Sequence, residues 1–395
     1  MNLKPYDKTN SLNPYLINIR KGDIITYTDS EKLTAEYIWG KCGKERKKLA
    51  QWVFDYYRDR GFPEQKLTDN ELIKSFNKIR KLDTSKILTR NSEIKNSNSI
   101  GTNIIKHFCW KEFYSSKKET GVSPIEAFND DKKLMKVIKN RMGWCSSGED
   151  GSKRPFMFGI NDGMILQGIR SSGLGGMISQ FKVAVAKFLY EKYVPEGGTV
   201  FDYSAGWGAR LLAAMSLGIR YYGVDPLTSN PLNRMIDFFK GNAKVINGIS
   251  ENIDIYKNIP LVDHIMSSPP YFKLEIYSAD KTQSYNRYPE YQEWLLNYFK
   301  KTVDNCLGIM KNSGTFGLVV VEKYKKYNLG KDMIDICLSC GLEKIDYFPF
   351  KTAKSHLSGK TKNNINIKYN DGVFVFKKVG QKPYAGKKSG GLFEF

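Results

Sequence analysis

The most constraining feature of the sequence is an alternation of short β-like runs with helical stretches, which begins at Thr199 and continues to Phe376. The β-like runs are largely apolar, as expected for strands buried on both faces of a sheet. Strands that alternate with helices predict a doubly wound, mainly parallel sheet of the Rossmann-like α/β class. The predicted strands are Thr199–Asp202, Tyr221–Asp225, Ala243–Ile249, His264–Met266, Gly317–Val321, Ile345–Phe350 and Val373–Phe376.

The sequence before this alternation has a different pattern. Apolar positions between residues 31 and 141 recur at helical spacing. Thr68, followed three residues later by Glu71, predicts a capped helix start. A loop of Ser, Gly, acidic residues and Lys over 146–153 marks a boundary. We therefore predict a mostly helical, basic N-terminal domain over 1–150, an α/β domain over 151–380 and a basic tail over 381–395.

The charge of the chain is unevenly distributed. The net charge is +21 over 395 residues, of which residues 1–200 carry +12, residues 201–350 carry +1 and residues 351–395 carry +8. A neutral block between two basic ones indicates a core held against a polyanion. Solvated surface lysine is one alternative, and an anionic membrane surface is another. No long basic amphipathic helix supports the membrane alternative, so we expect no membrane partner.

The cellular setting follows from what the sequence lacks. No apolar run approaches the roughly 18 residues that a membrane helix needs. The first five residues lack the apolar core of a secretion signal. Six cysteines in 395 residues are too few for a disulfide scaffold. We expect an intracellular, cytoplasmic protein.

Three predicted strand ends carry residues suited to a ligand, because ligands of such sheets bind beyond the carboxyl ends of the strands. The first strand ends at Asp202 and is followed by Gly206 and Gly208, which allow the backbone to approach a ligand closely. Asp225 ends the next strand, 19 residues after Gly206. An acid there can accept hydrogen bonds from ribose hydroxyls, and helix capping is the alternative. Ser268-Pro269-Pro270-Tyr271 follows a later strand.

In this order, the three features resemble the S-adenosylmethionine-dependent methyltransferases, and within them the exocyclic-amino methyltransferases of nucleic acids. The resemblance covers about residues 170–378 and implies the class I methyltransferase fold. It implies that S-adenosyl-L-methionine is the cofactor. Its ribose would contact Asp225, and its adenine would lie near Ser250, although no acid stands at Ile249. The residues implied for its methionine part are Asp202, Ser204, Gly206 and Gly208.

The Ser-Pro-Pro-Tyr motif occupies the place of the catalytic tetrad in that family. Ser268 in the first position is more similar to the cytosine-N4 enzymes, whereas Asp or Asn is more similar to the adenine-N6 enzymes. An exocyclic amine is a poor nucleophile because its lone pair is delocalised into the ring. The Ser268 hydroxyl and the Pro269 carbonyl are acceptors that can draw its hydrogens out of the plane. Pro270 stiffens the turn, and the Tyr271 ring can stack on the base.

Two further segments are candidates for contacts around this site. The loop after the motif interleaves cations with aromatics, which suits contact with a nucleic-acid backbone and stacking on bases. An ordinary polar loop is the alternative. Gln180 and Phe181 precede the first strand, where a segment closes over the cofactor in the family, and a simple helix start is the alternative. The nucleic-acid candidates in the loop are Lys273, Tyr277, Lys281, Tyr285 and Arg287.

Other chemistries find little support in the sequence. Cys337 and Cys340 form a C-x-x-C, but no second pair or neighbouring His completes a zinc site, so we predict structural cysteines and no metal. His264 falls inside a predicted strand and is expected in the core. No nucleophile elbow supports a Ser-His-Asp triad.

The predicted function is methyl transfer to an exocyclic amino group of a base in DNA, with base flipping and with cytosine N4 favoured over adenine N6. The alternatives are an RNA base amino methyltransferase, a protein amide methyltransferase, and an inactive methyltransferase-like protein that binds nucleic acid. The +21 charge disfavours the protein substrate. We expect the helical block of about residues 31–150, helped by the basic tail, to recognise the DNA target, in a bacterial or phage-type setting.

Overall fold

The fold is described from a computed structural model over residues 43–143 except Gln65, and over 160–171, 178–351 and 371–383, together with Ile38 and Leu174. The chain divides into two compact units, each made of two segments. The helical unit comprises Met1–Lys66 and Phe113–Ile178, and the sheet unit comprises Leu67–Glu112 and Ser179–Phe395. The predicted boundary loop at 146–153 and nearly all of the basic tail lie outside the described residues.

The described residues contain fourteen α-helices. They are α1 (Gly43–Arg60), α2 (Asp69–Arg80), α3 (Thr102–Phe108), α4 (Trp110–Ser115), α5 (Pro124–Asn129), α6 (Asp131–Gly143), α7 (Asp162–Ser171), α8 (Val183–Tyr193), α9 (Ala209–Ser216), α10 (Ser229–Phe239), α11 (Ser284–Arg287), α12 (Tyr291–Glu293), α13 (Lys301–Ile309) and α14 (Leu329–Ser339). A 3-10 helix covers Ile253–Asn258, and a π-helix, Trp294–Lys300, joins α12 to α13.

The sheet unit is built on one large sheet. Its strands are β1 (Thr199–Asp202), β2 (Arg220–Val224), β3 (Ala243–Ile246), β4 (Val262–Ser267), β5 (Met310–Val320), β6 (Leu342–Pro349) and β7 (Gly372–Lys378). Two-residue strands at Lys117–Lys118 and Glu275–Ile276 lie outside this sheet.

The strand order across the sheet is β3-β2-β1-β4-β5-β7-β6. The first five strands in that order are parallel, and β7 runs antiparallel to both β5 and β6. The order reverses between β1 and β4, which is the switch point where the loops at the carboxyl ends of the strands open a crevice. The predicted fold, a Rossmann-like, mainly parallel sheet with a helical N-terminal region, is confirmed.

Each central strand contributes to two cores, as its apolar sequence predicts. Val200 belongs to one apolar cluster and its neighbour Phe201 to another, because successive side chains point to opposite faces of a strand. The first cluster contains α8, α9 and, unexpectedly, the apolar residues of α2 and α3. The second is lined by the π-helix, α13 and α14.

The helices α2 and α3 therefore belong to the sheet unit, and the predicted boundary near residue 150 is not where the compact units divide. Phe76 of α2 is buried and stacks on Phe239 of α10, with ring centroids 4.4 Å apart. Lys187 of α8 is only 3% exposed, and its ammonium donates to three carbonyls at the end of α2, those of Ile79 (3.0 Å), Arg80 (2.9 Å) and Leu82 (2.7 Å). The capping box of Thr68 and Glu71 at the other end of α2 is confirmed.

The helical unit has its own core, and a buried carboxylate joins two of its helices. Apolar residues of α1, α6 and α7 pack together, including Val53, Val137 and Ile165. Arg60 of α1 pairs with the buried Asp162 at the start of α7, and the hydroxyl of Tyr57 donates to the same carboxylate at 3.2 Å. Across the residues that the structure describes, no helix is both long and apolar enough to cross a membrane.

Candidate active site at the strand ends

The turn after β1 is formed by glycines in left-handed conformations. Gly206 has φ +57° and Gly208 has φ +87°, values that an L side chain rarely adopts. A Cβ on Gly208 would lie 2.6 Å from Leu232 Cδ2, so this glycine permits close packing of the turn on α10. Among the described residues, a Cβ on Gly206 would meet nothing closer than the Ser204 carbonyl at 3.9 Å. The backbone at Gly206 therefore faces open space, where a ligand can approach it.

Asp225 connects this turn to the end of β2. Its carboxylate accepts the N–H groups of Gly206 (2.9 Å), Leu227 (2.9 Å) and Thr228 (2.8 Å). The helix that follows starts at Ser229 with Thr228 as its N-cap residue. Burial raises the pKa of the Asp225 carboxyl. Because a carboxylate has about four acceptor positions, the three backbone bonds leave room for one more strong hydrogen bond.

Asp202 is placed differently from Asp225, since it is fully buried below the turn. Arg210 Nε donates to its carboxylate at 2.7 Å, as do the hydroxyls of Tyr221 (2.7 Å) and Ser267 (2.8 Å). These residues come from α9, β2 and β4. In the structure, Asp202 joins the elements beneath the site through side chains and offers no exposed atom to a ligand.

At the end of β4, Ser268 and Tyr271 form a directional chain of hydrogen bonds. The Tyr271 hydroxyl donates to the Val319 carbonyl at 3.2 Å, and the hydroxyls of Tyr271 and Ser268 are 2.9 Å apart. Because a carbonyl only accepts, Tyr271 uses its proton there, and Ser268 must donate to Tyr271. The lone pairs of the half-exposed Ser268 Oγ are thereby left free to accept a hydrogen bond. Burial raises the pKa of the Tyr271 phenol, whose side chain is only 8% exposed.

The residue after the motif, Phe272, has a φ of +53°, which is unusual for a bulky side chain. Its buried ring packs against Tyr291, Trp294, Tyr324 and Tyr327, with centroids 5.5 to 6.3 Å apart. This packing fixes the backbone that carries Tyr271. Sequence reasoning missed Tyr324 and Tyr327, and their short spacing in a lysine-rich stretch after β5 was the available signal.

The predicted nucleic-acid loop is largely held by its own contacts. Lys273 Nζ donates to the Pro289 carbonyl at 2.8 Å, and the Tyr277 hydroxyl donates to Glu275 at 2.6 Å. Tyr285 is buried, and its hydroxyl donates to the Ser278 carbonyl at 2.8 Å. Of the five residues predicted to contact nucleic acid, Lys281 is the only exposed one. Tyr285 therefore supports the loop in this structure instead of facing a nucleic acid.

The loop after β3 supplies a carboxylate that sequence reasoning overlooked. Ser250 is buried, and its hydroxyl lies 3.1 Å from that of Thr302. The next residue, Glu251, accepts the Arg287 Nε–H through Oε1 at 2.9 Å, while its buried Oε2 has no hydrogen-bond partner among the residues that the structure describes. The sequence signal for Glu251 was its position directly after Ser250, whereas an acid was considered in the sequence only at Ile249. Arg287, predicted to contact nucleic acid, is thus paired internally.

The predicted lid lies partly outside the described residues, which omit 172–173 and 175–177. The N–H of Ser179 donates to Glu275 Oε1 at 3.4 Å. The half-buried Phe181 ring lies 5.3 Å from the Arg210 guanidinium carbon, which connects it to the Asp202 cluster. Gln180 is half-exposed.

His264 lies in the core, as its position within a predicted strand indicated, and Cys337 and Cys340 lie at a helix end. His264 is fully buried, and burial lowers the pKa of its imidazole to about 3. Cys337 is buried and Cys340 half-buried at the end of α14, and neither is in a disulfide. Within the described ranges, no group of three His, Cys, Asp or Glu residues is placed to hold a metal ion.

Comparison with known proteins gives distant similarities only. No protein-family model matches the chain, and no curated protein matches it. A structure of Aeropyrum pernix fibrillarin with natively bound S-adenosyl-L-methionine is 14% identical, with 49% of this chain and 72% of that chain covered and a TM-score of 0.32. Thermus thermophilus TrmN is 12% identical, with 56% and 69% covered and a TM-score of 0.35. A putative rRNA-methylase from Clostridium thermocellum is 13% identical, with 52% and 99% covered and a TM-score of 0.33. Similarities this distant assign no function.

Proposed function

We propose that this chain transfers a methyl group from S-adenosyl-L-methionine to an exocyclic amino group of a base in DNA, with cytosine N4 favoured over adenine N6. The observation that carries the proposal is the hydrogen-bond chain from Ser268 through Tyr271 to Val319. It orients an acceptor at the end of β4, beside the crevice at the switch point of the sheet. An amino group is the donor that such an acceptor fits.

The residues around the glycine turn fit the cofactor. The open backbone at Gly206 and the remaining acceptor position of Asp225 suit its polar groups. The unpartnered Glu251 Oε2 is an acceptor for an amino group, and it lies beside Ser250, where the resemblance places the adenine. When bound, the cofactor supplies an electrophilic methyl group. The protein's own task is then to hold the two reactants in line, which is worth several kcal/mol in favourable cases.

The acceptor amine requires activation because its lone pair is delocalised into the base. Ser268 Oγ accepts one N–H of the amine, and the Pro269 carbonyl accepts the other. Two bonds out of the ring plane increase the lone-pair character of the nitrogen. As the nitrogen–methyl bond forms and the sulfur–methyl bond breaks, the nitrogen gives up one proton, which passes to solvent. Since Tyr271 is only 8% exposed, little of its ring is available to a base, and its main contribution is to orient Ser268. Tyr271 is thus chiefly a positioning residue.

The choice of a nucleic acid as substrate rests on the charge distribution, and the choice of DNA over RNA rests on the resemblance carried by the Ser268–Tyr271 motif. Basic residues before and after a near-neutral central block favour a polyanion as substrate. In a duplex the base must leave the stack, at a cost of a few kcal/mol. An RNA base amino methyltransferase is the second candidate, since the same charges suit either polymer. A methyltransferase-like binder without activity is the third.

The proposal is tested by incubating the purified chain with labelled S-adenosyl-L-methionine and separate DNA, RNA and protein acceptors. Nucleoside mass spectrometry of the product then separates N4-methylcytosine from N6-methyladenine. We expect Ser268→Ala to lower kcat about a hundredfold, which is within the range for a group that assists proton movement. Cofactor affinity should be unchanged.

Two variants sharpen this test. Tyr271→Phe keeps the ring and removes the hydroxyl that orients Ser268, so kcat should fall by a smaller factor of about ten, the equivalent of one hydrogen bond. Ser339→Ala is the matched control, because Ser339 is exposed and its hydroxyl donates to the Ile336 carbonyl within its own helix. Full activity of Ser268→Ala on DNA would contradict the proposed site. If RNA alone is labelled, the substrate is RNA and not DNA.

A further inference from the structure

The helical unit contains a groove that the active site does not explain. It lies between α1 and α6 and has a volume of about 510 Å³. Gln51 and Phe54 of α1 line one side. On the other side, α6 contributes Lys132, Lys136 and Lys139.

The three lysines share one face of α6. They follow one another at four and three residues, so their Cα atoms rise about 6 Å and then about 4.5 Å along the helix. All three side chains are exposed. Within the part of the chain that the structure describes, none of the three ammonium groups has a carboxylate within ion-pair distance. The groove therefore presents three unneutralised positive charges in a row.

The one carboxylate among the described residues that line the groove does not cancel this charge, because it is already paired. Asp131 pairs with Arg58 at 2.8 Å. An acidic ligand would thus meet the lysines with little competition from Asp131.

The face is also fixed in place. The opposite side of α6 is buried through Leu134, Val137 and Ile138, all at 0% exposed. Phe54 and Met135 form a half-buried apolar floor to the groove. A row of charges above an apolar floor with one aromatic ring suits a polymer that carries both phosphates and flat bases. A membrane surface would need a broader exposed apolar face.

We propose that this groove binds the sugar-phosphate backbone of a nucleic acid, with Lys132, Lys136 and Lys139 contacting successive phosphates. The proposal rests on the proposed function, because it assigns the contact with the DNA substrate to the helical unit. It does not depend on Ser268 or on the cofactor, so the two can fail separately.

The chain provides a matched control. Lys74, Lys78 and Lys81 repeat the same four-and-three spacing on and directly after α2 in the sheet unit, and they are exposed as well. Reversing three charges in each set changes the net charge equally. A difference in DNA affinity between the two variants therefore reflects where the lysines lie and not the total charge of the chain.

The test is fluorescence anisotropy of the full chain with a labelled DNA duplex at several salt concentrations. We expect K132E/K136E/K139E to weaken binding about tenfold or more and to reduce the slope of log K against log salt by about 2 to 3, the value for three phosphate contacts. K74E/K78E/K81E should retain nearly all of the affinity and slope. Equal losses in both variants, or no loss in the first, would overturn the proposal.

Three further measurements keep the result interpretable. Thermal unfolding confirms that each variant is folded, and K132Q/K136Q/K139Q replaces the first variant if it is not. Binding to vesicles with anionic lipid is measured in parallel, and loss of vesicle binding without loss of DNA binding overturns the proposal. If the wild-type chain binds DNA through the groove but methylates no nucleic acid, the proposed function fails and the groove assignment stands.

Discussion

The carboxyl ends of β1 and β4 belong to neighbouring parallel strands, yet they are built in different ways. After β1, the conformation of two glycines and the backbone N–H groups held by Asp225 shape the turn. After β4, side-chain hydroxyls and a cluster of aromatic rings around Phe272 hold the motif. A site made of backbone depends on residues close in sequence, whereas a site made of side chains depends on distant partners. Three changes test how far this difference extends.

The largest effect is expected for the ion pair beneath the β1 end. Arg210→Met leaves the fully buried Asp202 carboxylate without its cationic partner. Breaking a buried pair in this way costs about 3–5 kcal/mol in the free energy of unfolding. Chemical denaturation measures the loss. Arg220→Met is the control, since Arg220 is exposed at the start of β2 and should cost about 0.5 kcal/mol or less. A loss of less than about 1 kcal/mol in the free energy of unfolding for Arg210→Met would contradict a stabilising role of the Arg210–Asp202 pair.

A smaller effect is expected for the carboxylate that faces the turn. Asp225→Asn keeps the shape but loses the charge and one acceptor for the backbone N–H groups. Hydrogen bonds to charged groups contribute about 1.5–3 kcal/mol, so affinity for S-adenosyl-L-methionine should fall roughly 10- to 100-fold. Calorimetric titration measures this change. Asp237→Asn, at an exposed position of α10, is the control. Unchanged affinity in Asp225→Asn would remove Asp225 from the cofactor site.

The smallest effect is a pH dependence from His264 in β4. Burial lowers the pKa of its imidazole to about 3 in the folded chain, whereas the unfolded chain has a value near 6.5. Between these values the unfolded chain binds the extra proton, so acid favours unfolding. The free energy of unfolding should fall by about 1 kcal/mol between pH 6 and pH 5. His264→Gln should remove this contribution to the pH dependence of the free energy of unfolding. An identical pH dependence in both proteins would show that His264 is less buried than the structure indicates.

The strands and the turn residues could be predicted because their signals are local. Glycines with positive φ, an acid at the end of a strand and two consecutive prolines each constrain the backbone where they stand. Sequence reasoning also found that His264 is buried, since it lies within an apolar strand.

The parts that could not be predicted depend on residues far apart in the chain. Glu251 and Arg287 are 36 residues apart, and Tyr271 and Val319 are 48 apart. The left-handed Phe272 has no local signal, because its conformation is stabilised by rings from other elements. Asp202 and Asp225 each follow or end a strand, and the sequence does not distinguish their roles. The contacts of Arg210 and Tyr221 with Asp202 show that Asp202 is the internal one.

The three carbonyls that receive the Lys187 ammonium have a consequence for how the chain folds. The contacts join residues 105 to 108 positions apart, and most of that interval encodes the second segment of the helical unit. During synthesis, α2 emerges long before the lysine that completes its end. Contacts of such high sequence separation slow folding because loop closure comes before the contact forms. A chain that begins at residue 151 would keep Lys187 and lose its three carbonyl acceptors, which leaves the buried ammonium group with the Glu191 carboxylate 3.7 Å away. The carboxyl end of α2 is therefore completed only after the chain has been synthesised past Lys187.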